Sequence, residues 1–261
     1  MWHFLHSPSS AGAYNMALDE ALMQHASESG AWICRVYTWS APTLSFGRNQ
    51  RARGAYDLQR IAEQGIDVVR RPTGGRAILH HQEITYSVVG PVRGAGDLHE
   101  SYARINRLLI AALQGLGVAA TVVDRPSDAS RAPALEQPGV LPCFHHPSLG
   151  EITLNGRKLV GSAQWRCDEI LLQHGSILVD DDQMRLSSLL IEPGPEIPPA
   201  ATLRDALGRP PSEFDVAQSL FDAVRTLEDP AARPIEPDAR LLARANELRD
   251  HYLDESWTWR R

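Results

Sequence analysis

The sequence predicts an α+β fold, in which a mixed β-sheet core is flanked by helices and carries a helical extension at its C-terminus. Three observations predict this fold. Short β-rich runs alternate with amphipathic helical segments over residues 15–123. Three more β-rich runs follow one another over residues 151–178. After Asp180 the pattern is helical, with proline-rich interruptions at 193–199 and at 210–211.

The first half of the chain is predicted to alternate between helices and strands. Apolar residues recur at helical spacing in the helices, and β-branched or aromatic residues dominate the strands. Gly65 and Gly117 are expected to end two of the helices, since glycine readily adopts the left-handed backbone found there. The predicted elements are a helix at 15–26, strands at 32–39 and 43–46, a helix at 56–64, strands at 66–69, 77–79 and 84–89, a helix at 100–116 and a strand at 118–123.

The second half is predicted to begin with a meander of three antiparallel strands, at 151–154, 157–164 and 169–178. Asn155-Gly156 joins the first two, and this dipeptide between β-rich runs is a strong hairpin signal. An irregular loop at 125–140 is expected before the meander, because that stretch is rich in Pro, Ser, Ala and Asp. We therefore predict a main domain at 1–190 and a helical extension at 191–261 that packs on the same domain.

Composition excludes several classes of protein. The chain has 261 residues, 43% of them hydrophobic and 22% charged, which is typical of a soluble globular protein. We expect no membrane span, since no long apolar run occurs, and no secretory signal at the N-terminus. The net charge of -6 argues against broad nucleic-acid binding. Three cysteines do not suggest a disulfide framework, so we expect a cytoplasmic protein.

Lys158 is the single lysine among 26 lysine and arginine residues. Arginine stays protonated and spreads its charge over a planar fork, whereas lysine offers a compact ammonium that can give up a proton when buried. A chain that uses arginine almost everywhere and keeps one lysine is therefore expected to need that lysine for chemistry. The bland alternative is an arginine-biased composition with one accidental lysine.

Cys143 is the second candidate for chemistry. It lies in a predicted loop just before the meander, and loops carry functional residues more often than strands do. A thiol becomes a good nucleophile once ionised, and a nearby cation such as Lys158 favours the thiolate. Cys34 fits the alternative of a small buried hydrophobe within a strand. Cys167 ranks lower than Cys143, because the negative charge of Asp168 beside it disfavours a thiolate.

The histidine pairs His80-His81 and His145-His146 do not predict a metal site. Adjacent residues of an extended segment point to opposite faces, so each pair offers one ligand per side. No Cys-x-x-Cys or His-Glu-x-x-His spacing occurs in the chain. We expect no metal and no cofactor. A role for His145 or His146 as a base for Cys143 remains an alternative to an ordinary loop histidine.

The segment 70–77 is a turn between strands that is rich in glycine and positive charge. Glycines let backbone amides approach a ligand closely, and arginines favour phosphate or carboxylate groups. The segment is neither a Walker loop nor a dinucleotide fingerprint. An ordinary Gly-Gly turn with solvated arginines explains it equally well when it is considered alone.

Five motifs, at 15–22, 42–48, 70–77, 156–164 and 173–176, follow one another along the chain. Together they resemble the biotin/lipoate protein ligase and octanoyltransferase superfamily. The resemblance spans about residues 1–190, and the C-terminal end at 257–261 is also similar. Cys143-Phe144 upstream of the lysine hairpin resembles the octanoyl-[acyl carrier protein]:protein N-octanoyltransferases that place their cysteine before the lysine.

The resemblance implies a mixed sheet flanked by helices and a transfer reaction without ATP. Cys143 would take an octanoyl group from acyl carrier protein as a thioester, and a lysine of a lipoyl domain would then accept it as an amide. Lys158 would stabilise the reacting groups and help to deprotonate the incoming amine. The lipoyl domain would belong to a glycine-cleavage H protein or a dehydrogenase E2. The resemblance also implies substrate contacts at Arg70, Arg71, Thr73, Gly74, Gly75, Arg76, Gly161, Ser162, Ala163, His174 and Gly175.

Both partner proteins are acidic in this superfamily, so the arginine groups at 48–53 and 70–76 are expected to dock them. A monomer is the expected state. Two alternatives remain at this point. One is an ATP-dependent lipoate or octanoate ligase, in which Lys158 would hold an acyl-adenylate and Cys143 would be incidental. The other is a non-catalytic module that binds acyl groups or carrier proteins.

Overall fold

The computed structural model describes residues 1–92, 97–123, 144, 149–192, 194 and 197–261. Its strands are β1 (Trp2–His6), β2 (Trp32–Tyr37), β3 (Thr43–Phe46), β4 (Asp67–Arg70), β5 (Ile78–His80), β6 (Glu83–Pro91), β7 (Thr121–Val122), β8 (Ile152–Leu154), β9 (Arg157–Cys167), β10 (Ile170–Leu178) and β11 (Arg233–Pro234). Its helices are α1 (Gly12–Ser29), α2 (Leu58–Glu63), α3 (Asp97–Gly115), α4 (Arg185–Ser188), α5 (Leu203–Leu207), α6 (Glu213–Leu227), α7 (Ala239–Leu253) and α8 (Glu255–Thr258).

The strands form one large and one small sheet. The large sheet has the order β11-β1-β2-β6-β10-β9-β8-β7, and the small sheet has the order β4-β3-β5. β1 pairs in parallel with β2 and β11, and β3 pairs in parallel with β4, whereas the other pairs are antiparallel. The predicted mixed sheet is therefore confirmed. We did not predict β1 and β11 from the sequence.

Helices cover both faces of the large sheet, because side chains alternate between its two faces along each strand. Val88 of β6 packs in a cluster with residues of α3 and α6, such as Leu108 and Leu220. The adjacent Val89 packs in a second cluster with residues of α1 and α7, such as Leu22. Helix α7 thus packs against α1 on the opposite face from α3 and α6.

The predicted meander is confirmed as β8, β9 and β10. Asn155 and Gly156 both have positive φ angles, 51° and 75°, as the tight hairpin turn between β8 and β9 requires. Thr153 pairs with Lys158, whereas the preceding Ile152 pairs with Val160. Leu159 is therefore an extra residue in β9, and this bulge lies directly beside Lys158. Bulges change the direction in which nearby side chains point.

The C-terminal segment lies against the small sheet. Trp259 forms an edge-on contact with Phe46 of β3. The backbone carbonyl of Arg261 accepts hydrogen bonds from the amides of Ala52 and Arg53, at 2.9 and 2.7 Å. No helix within the described residues has the length and apolar character needed to cross a membrane.

Candidate active site

Lys158 is buried, with 2% of its surface exposed. Its ammonium nitrogen lies 2.6 Å from an oxygen of Glu151, the residue that precedes β8. A buried ammonium is stable only when its charge is compensated, so this ion pair holds the lysine in place. We did not predict Glu151 from the sequence, because only the β8–β9 hairpin brings it beside Lys158.

Phe144 covers Lys158. The ring centroid of Phe144 lies 5.1 Å from the lysine nitrogen, a distance at which the ring attracts a cation. The same ring is buried in a small cluster with Ile78 and Leu178. Phe144 follows Cys143 in the sequence. Cys143 itself, like His145 and His146, lies outside the described residues.

A cavity begins beside Lys158, on the side of Gly161. It contains about 390 Å³ of empty space, part of it open to solvent. A β-carbon placed on Gly161 would lie 3.3 Å from Cε of Lys158, so the lysine stem lies against the cavity wall. Seven residues that the sequence predicted as substrate contacts line this cavity: Arg71, Gly75, Gly161, Ser162, Ala163, His174 and Gly175. The other wall residues are Met16, Tyr37, Trp39, Ile78, His80, Thr85 and Ser176.

Gly175 is required where β9 and β10 pass each other. A β-carbon on this residue would lie 2.4 Å from the carbonyl oxygen of Gly161 and 2.8 Å from the ring of Tyr86. Both distances are shorter than van der Waals contact allows, so any side chain here would push the strands apart. Glycine therefore keeps the wall of the cavity thin at this point.

His174 connects three of the predicted motifs. Its Nε2 atom is hydrogen-bonded to the hydroxyl of Thr73 at 2.6 Å, and its Nδ1 atom lies 3.2 Å from a carboxylate oxygen of Asp19. Arg35 donates to the other oxygen of Asp19 at 2.7 Å, and Tyr37 donates to the first at 2.9 Å. The glycine-rich turn, β10 and α1 are therefore fixed to one another by a buried polar network.

The electrostatics of this network are set by Asp19. Burial alone would raise the pKa of Asp19, but the positive charge of Arg35 and the hydrogen bond from His174 outweigh it, so the pKa lies below its ordinary value. Burial and the charge of Asp19 raise the pKa of Tyr37 well above its ordinary value. Asp19 is thus ionised and Tyr37 is neutral at physiological pH. Asp19 belongs to the first motif, although we did not predict it as a site residue.

A second polar network forms another part of the cavity wall. Nε2 of His80 is hydrogen-bonded to the hydroxyl of Ser45 at 2.8 Å, and Nδ1 lies 3.0 Å from an oxygen of Glu83. Trp39 stacks on His80 with 4.0 Å between ring centroids and donates its indole N–H to Thr85. Burial lowers the pKa of His80 against the opposing effect of Glu83. His80 is therefore a buried neutral histidine whose ring nitrogens have protein partners.

The side chains of the adjacent residues Arg70 and Arg71 contact different parts of the protein. Arg71 lines the cavity and donates to the carbonyls of Ser45, Gly74 and Arg76. Its guanidinium therefore fixes the shape of the glycine-rich turn. Gly74 supports the wall by accepting from Arg71, and Thr73 supports it through its hydrogen bond to His174, although neither lines the cavity itself.

Arg70 points away from the cavity. Its guanidinium is fully buried and donates to the carbonyls of Gly47, Gln50 and Thr258. Its own carbonyl accepts a hydrogen bond from the indole of Trp257 at 2.9 Å. The expectation of a substrate contact at Arg70 therefore finds no support, since the side chain holds the C-terminal segment. Arg76 is exposed at the surface and does not line the cavity.

Two of the three cysteines are described, and neither lines the cavity. Cys34 is fully buried in the core, where burial strongly raises the pKa of its thiol. Cys167 is exposed at the end of β9, nine residues beyond Lys158. A strand of that length separates the two residues by about 30 Å. Neither cysteine is positioned to react beside Lys158.

Comparison with known families agrees with this geometry. The sequence model of the lipoyl protein ligase A/B catalytic domain matches residues 11–225. The chain belongs to this family. The resemblance found in the sequence is thereby confirmed. The family match covers most of the chain and includes every motif that carried the resemblance except the C-terminal end.

Within the lipoyl protein ligase A/B family, the chain is similar over its full length to proteins named octanoyltransferase LipM. It is 37% identical to the Kyrpidia tusciae protein over 273 aligned positions, which cover 100% of this chain and 99% of that protein. It is 32% identical to the Staphylococcus aureus protein, with the same coverage. The Carboxydothermus hydrogenoformans protein is 42% identical over 72% of this chain and 69% of its own.

Solved structures of lipoate protein ligases share the fold. A lipoate-protein ligase A bound with ATP superposes with a TM-score of 0.78 at 22% identity, covering 98% of each chain. A bi-partite lipoate protein ligase from Thermoplasma acidophilum gives a TM-score of 0.76 at 22% identity, covering 98% of this chain and 95% of that one. At this identity the likeness establishes the fold and leaves the reaction to be argued from the site.

Proposed function

We propose that this chain is an octanoyltransferase of lipoate biosynthesis, which moves an octanoyl group from acyl carrier protein to a lysine of a lipoyl domain. One observation carries the proposal. The single lysine of the chain is buried at the edge of a cavity, held by Glu151 and covered by Phe144, the residue after Cys143. The full-length relatives named octanoyltransferase support the same reaction.

The cavity suits an acyl chain. Ile78, Met16 and the glycines of β9 and β10 provide apolar wall, and the polar wall groups of His174 and His80 already have partners inside the protein. An apolar chain therefore enters without leaving a buried polar group unpaired, which would otherwise cost about 1–3 kcal/mol for each group. The thioester carbon then lies near the Lys158 end of the cavity.

Cys143 is the proposed nucleophile. Its thiolate attacks the thioester carbonyl, the sulfur of the carrier leaves with a proton, and an octanoyl-cysteine thioester remains. The lysine amine of the lipoyl domain attacks this thioester, loses a proton and forms the amide, while the thiolate of Cys143 is restored. The exchange of thioesters is nearly isoenergetic and the second step is downhill, so no ATP is consumed.

Lys158 has two tasks in this proposal. Its ammonium stabilises the negative charge that develops on the carbonyl oxygen in both steps, which is worth most in a buried site. It also relays the proton that the incoming amine must lose. Glu151 positions Lys158 for both tasks. Arginine at this position would keep the charge but could not release the proton.

The locations of Cys34 and Cys167 support Cys143 as the nucleophile. Cys34 is enclosed in the core, and Cys167 lies about 30 Å along the strand from Lys158. The acceptor in this proposal is a lipoyl domain of a glycine-cleavage H protein or a dehydrogenase E2. The monomeric state, the cytoplasmic location and the division at residue 190 stay predictions.

The decisive experiment is the intact mass of the protein after incubation with octanoyl-acyl carrier protein in the absence of ATP. We expect an octanoyl adduct that hydroxylamine removes and that Cys143→Ala lacks. Addition of an apo lipoyl domain should discharge the adduct and octanoylate the domain. Transfer that appears only with free octanoate and ATP would replace this proposal by the ligase reaction. Binding of octanoyl-acyl carrier protein without adduct or transfer would indicate a non-catalytic module.

A further inference from the structure

The Lys158–Glu151 pair joins a buried group to one that reaches solvent. The side chain of Lys158 is enclosed by protein, whereas that of Glu151 keeps some contact with solvent. The ring of Phe144 covers the lysine ammonium, and an aromatic ring cannot accept a proton from it. The Glu151 carboxylate lies 2.6 Å from the ammonium nitrogen and can accept one. A proton on the buried lysine therefore has a route to solvent through Glu151.

The bulge at Leu159 turns Lys158 toward the cavity. Lys158 and Gly161 are three positions apart, and in a regular strand their side chains would face opposite sides of the sheet. The extra residue reverses this alternation, so Cε of Lys158 lies 3.3 Å from a β-carbon placed on Gly161. The carbonyl of Lys158 also accepts from the amide of Ala201 at 2.9 Å. The lysine side chain is thus fixed between the cavity wall and the Glu151 carboxylate.

The backbone at Glu151 is fixed as well. The Glu151 carbonyl accepts from the amide of Val123, and the amide of Gly150 donates to the Val123 carbonyl, both at 2.9 Å. The Gly150 carbonyl accepts from the side chain of Asn106 in α3 at 2.6 Å. Gly150 has a φ angle of 82°, a conformation that favours glycine. The carboxylate therefore extends from a rigid point, as proton transfer over a fixed distance requires.

Amide formation releases one proton beside Lys158. The amine nitrogen of the lipoyl domain forms the C–N bond, the C–S bond breaks with its electron pair going to the Cys143 sulfur, and the nitrogen loses a proton. An ammonium at Lys158 cannot take this proton until it has given up its own. A buried ammonium and carboxylate can exchange their charges for a neutral pair, because burial disfavours both charged forms. Glu151 is placed to make this exchange.

We infer that Glu151 is the proton acceptor through which Lys158 passes the amine proton to solvent. The inference rests on the proposed function and concerns its second step. Lys158 gives its proton to Glu151, accepts the proton of the amine and becomes an ammonium again. Glu151 then releases its proton to water at its exposed edge, so one proton reaches solvent for each amide formed. In this role Glu151 acts through Lys158.

The test compares two acceptors on the same acyl-enzyme, prepared with octanoyl-acyl carrier protein and then separated from it. The lysine of an apo lipoyl domain is strongly basic and needs a proton acceptor during its attack. Hydroxylamine is weakly basic, so its nitrogen loses its proton to water once the C–N bond has formed. Intact mass follows the discharge of the adduct by each acceptor in the wild type, Glu151→Gln and Glu151→Asp. The matched control is Glu169→Gln, which removes an exposed carboxylate just before β10.

The measured quantity is the rate of discharge by the lipoyl domain divided by the rate of discharge by hydroxylamine. We expect this ratio to fall about 100-fold in Glu151→Gln, which has lost the proton acceptor. Glu151→Asp keeps a counter-charge for Lys158 but shortens the side chain by about 1.5 Å. Its ratio should fall on the order of tenfold, since such a displacement slows proton transfer. Glu169→Gln should keep the ratio of the wild type.

Melting temperatures show which variants are folded, and Glu151→Asp carries the test if Glu151→Gln is not. An unchanged ratio in each folded variant of Glu151, with both discharges slowed equally or not at all, would overturn the inference. The carboxylate would then only hold Lys158 in place. Failure of the proposed function looks different, because the wild-type protein would then form no octanoyl adduct, and the inference would fall with it.

Discussion

The ammonium nitrogen of Lys158 and a carboxylate oxygen of Glu151 lie 2.6 Å apart across the β8–β9 hairpin. The two residues are seven positions apart in sequence. The bulge at Leu159 follows directly after Lys158 in β9. The lysine side chain is 2% exposed and that of the glutamate 11%. The pair therefore fixes a buried charge at the edge of the cavity.

Lys158→Arg should lose most of the octanoyl transfer activity. The larger fork does not fit beside Phe144 and Glu151 in the same way, and arginine cannot relay a proton. Loss of proton transfer alone predicts a decrease in kcat of about 100-fold or more. The rate of octanoyl transfer from octanoyl-acyl carrier protein in a single turnover measures this decrease. Arg157→Lys, a change on the exposed neighbouring residue, is the control and should retain activity. If Lys158→Arg transfers octanoyl groups as fast as the wild type, the role proposed for Lys158 is wrong.

Glu151→Gln should destabilise the protein, because the buried ammonium of Lys158 loses its counter-charge. Breaking a buried ion pair from one side costs roughly 3 kcal/mol. Urea unfolding measures this decrease in the free energy of unfolding. The decrease should largely vanish when Glu151→Gln is made in a Lys158→Met background, because no buried ammonium then remains to be compensated. Glu247→Gln removes an exposed partner of Arg244 and should leave the unfolding free energy nearly unchanged. An equal loss in both backgrounds would show that the glutamate acts independently of the lysine.

Cys167→Ser should leave octanoyl transfer intact. The residue is exposed at the end of β9, about 30 Å from Lys158 along an extended strand. Formation of the acyl-enzyme, followed by intact mass, should match the wild type within a factor of about two. If the adduct disappears in Cys167→Ser and persists in Cys143→Ala, the nucleophile has been assigned to the wrong cysteine.

Arg70→Ala should release the C-terminal segment. The guanidinium donates to the carbonyls of Gly47, Gln50 and Thr258, and charged hydrogen bonds of this kind contribute roughly 1.5–3 kcal/mol each. Hydrogen exchange at 257–261 should accelerate, and the melting temperature should fall. Arg76→Ala, an exposed change in the same turn, is the control. Unchanged exchange in Arg70→Ala would mean that Trp257 and Trp259 hold the segment without Arg70.

Stability should decrease as the pH falls, in two stages. The pKa of His80 is lowered from its ordinary value of 6.5 by burial. Below pH 6.5 the unfolded chain therefore takes up a proton that the folded chain refuses, and folding stability declines. The pKa of Asp19 is lowered from its ordinary value of 3.8, since Arg35 outweighs burial, so the stability from this ion pair is present above pH 3.8 and is lost below it.

Urea midpoints measured between pH 8 and 5 check the first stage. His80→Gln should make the urea midpoint fall less steeply below pH 6.5. This expectation holds whatever the effect of the substitution on the stability at pH 8. His3, whose pKa is also lowered by burial, contributes in the same direction, so His3→Gln should flatten the decline as well. Identical slopes in the wild type and both variants would contradict the lowered pKa values of these two histidines.

The sequence predicted the elements whose signals are local. The hairpin at Asn155-Gly156, the glycine ends of the helices and the strand predicted at 84–89 all depend on neighbouring residues, and they appear near the expected places. β1 was missed because a short strand in parallel contact with β2 depends on a partner about 30 residues away. Such pairing is decided by the assembled sheet and leaves little trace in the strand itself.

The adjacent arginines show a different limit. Arg70 and Arg71 look equivalent in the sequence, and both were expected to contact substrate. Consecutive side chains of an extended segment point to opposite sides, so one enters the cavity wall and the other binds the C-terminal segment. Which arginine faces the cavity and which faces the C-terminal segment depends on where distant parts of the chain pack. No local sequence pattern encodes this packing.

The sequence by itself determined the fold class and the family, and it singled out Lys158 as the candidate for the chemistry, because periodicity, turn residues and ordered motifs are properties of short segments. Only the tertiary structure decided which charges meet: Glu151 with Lys158, and Asp19 with Arg35 and His174. The physical reason is that a buried charge is stable only beside a counter-charge. Which counter-charge lies nearest is set by the packing of different segments of the chain.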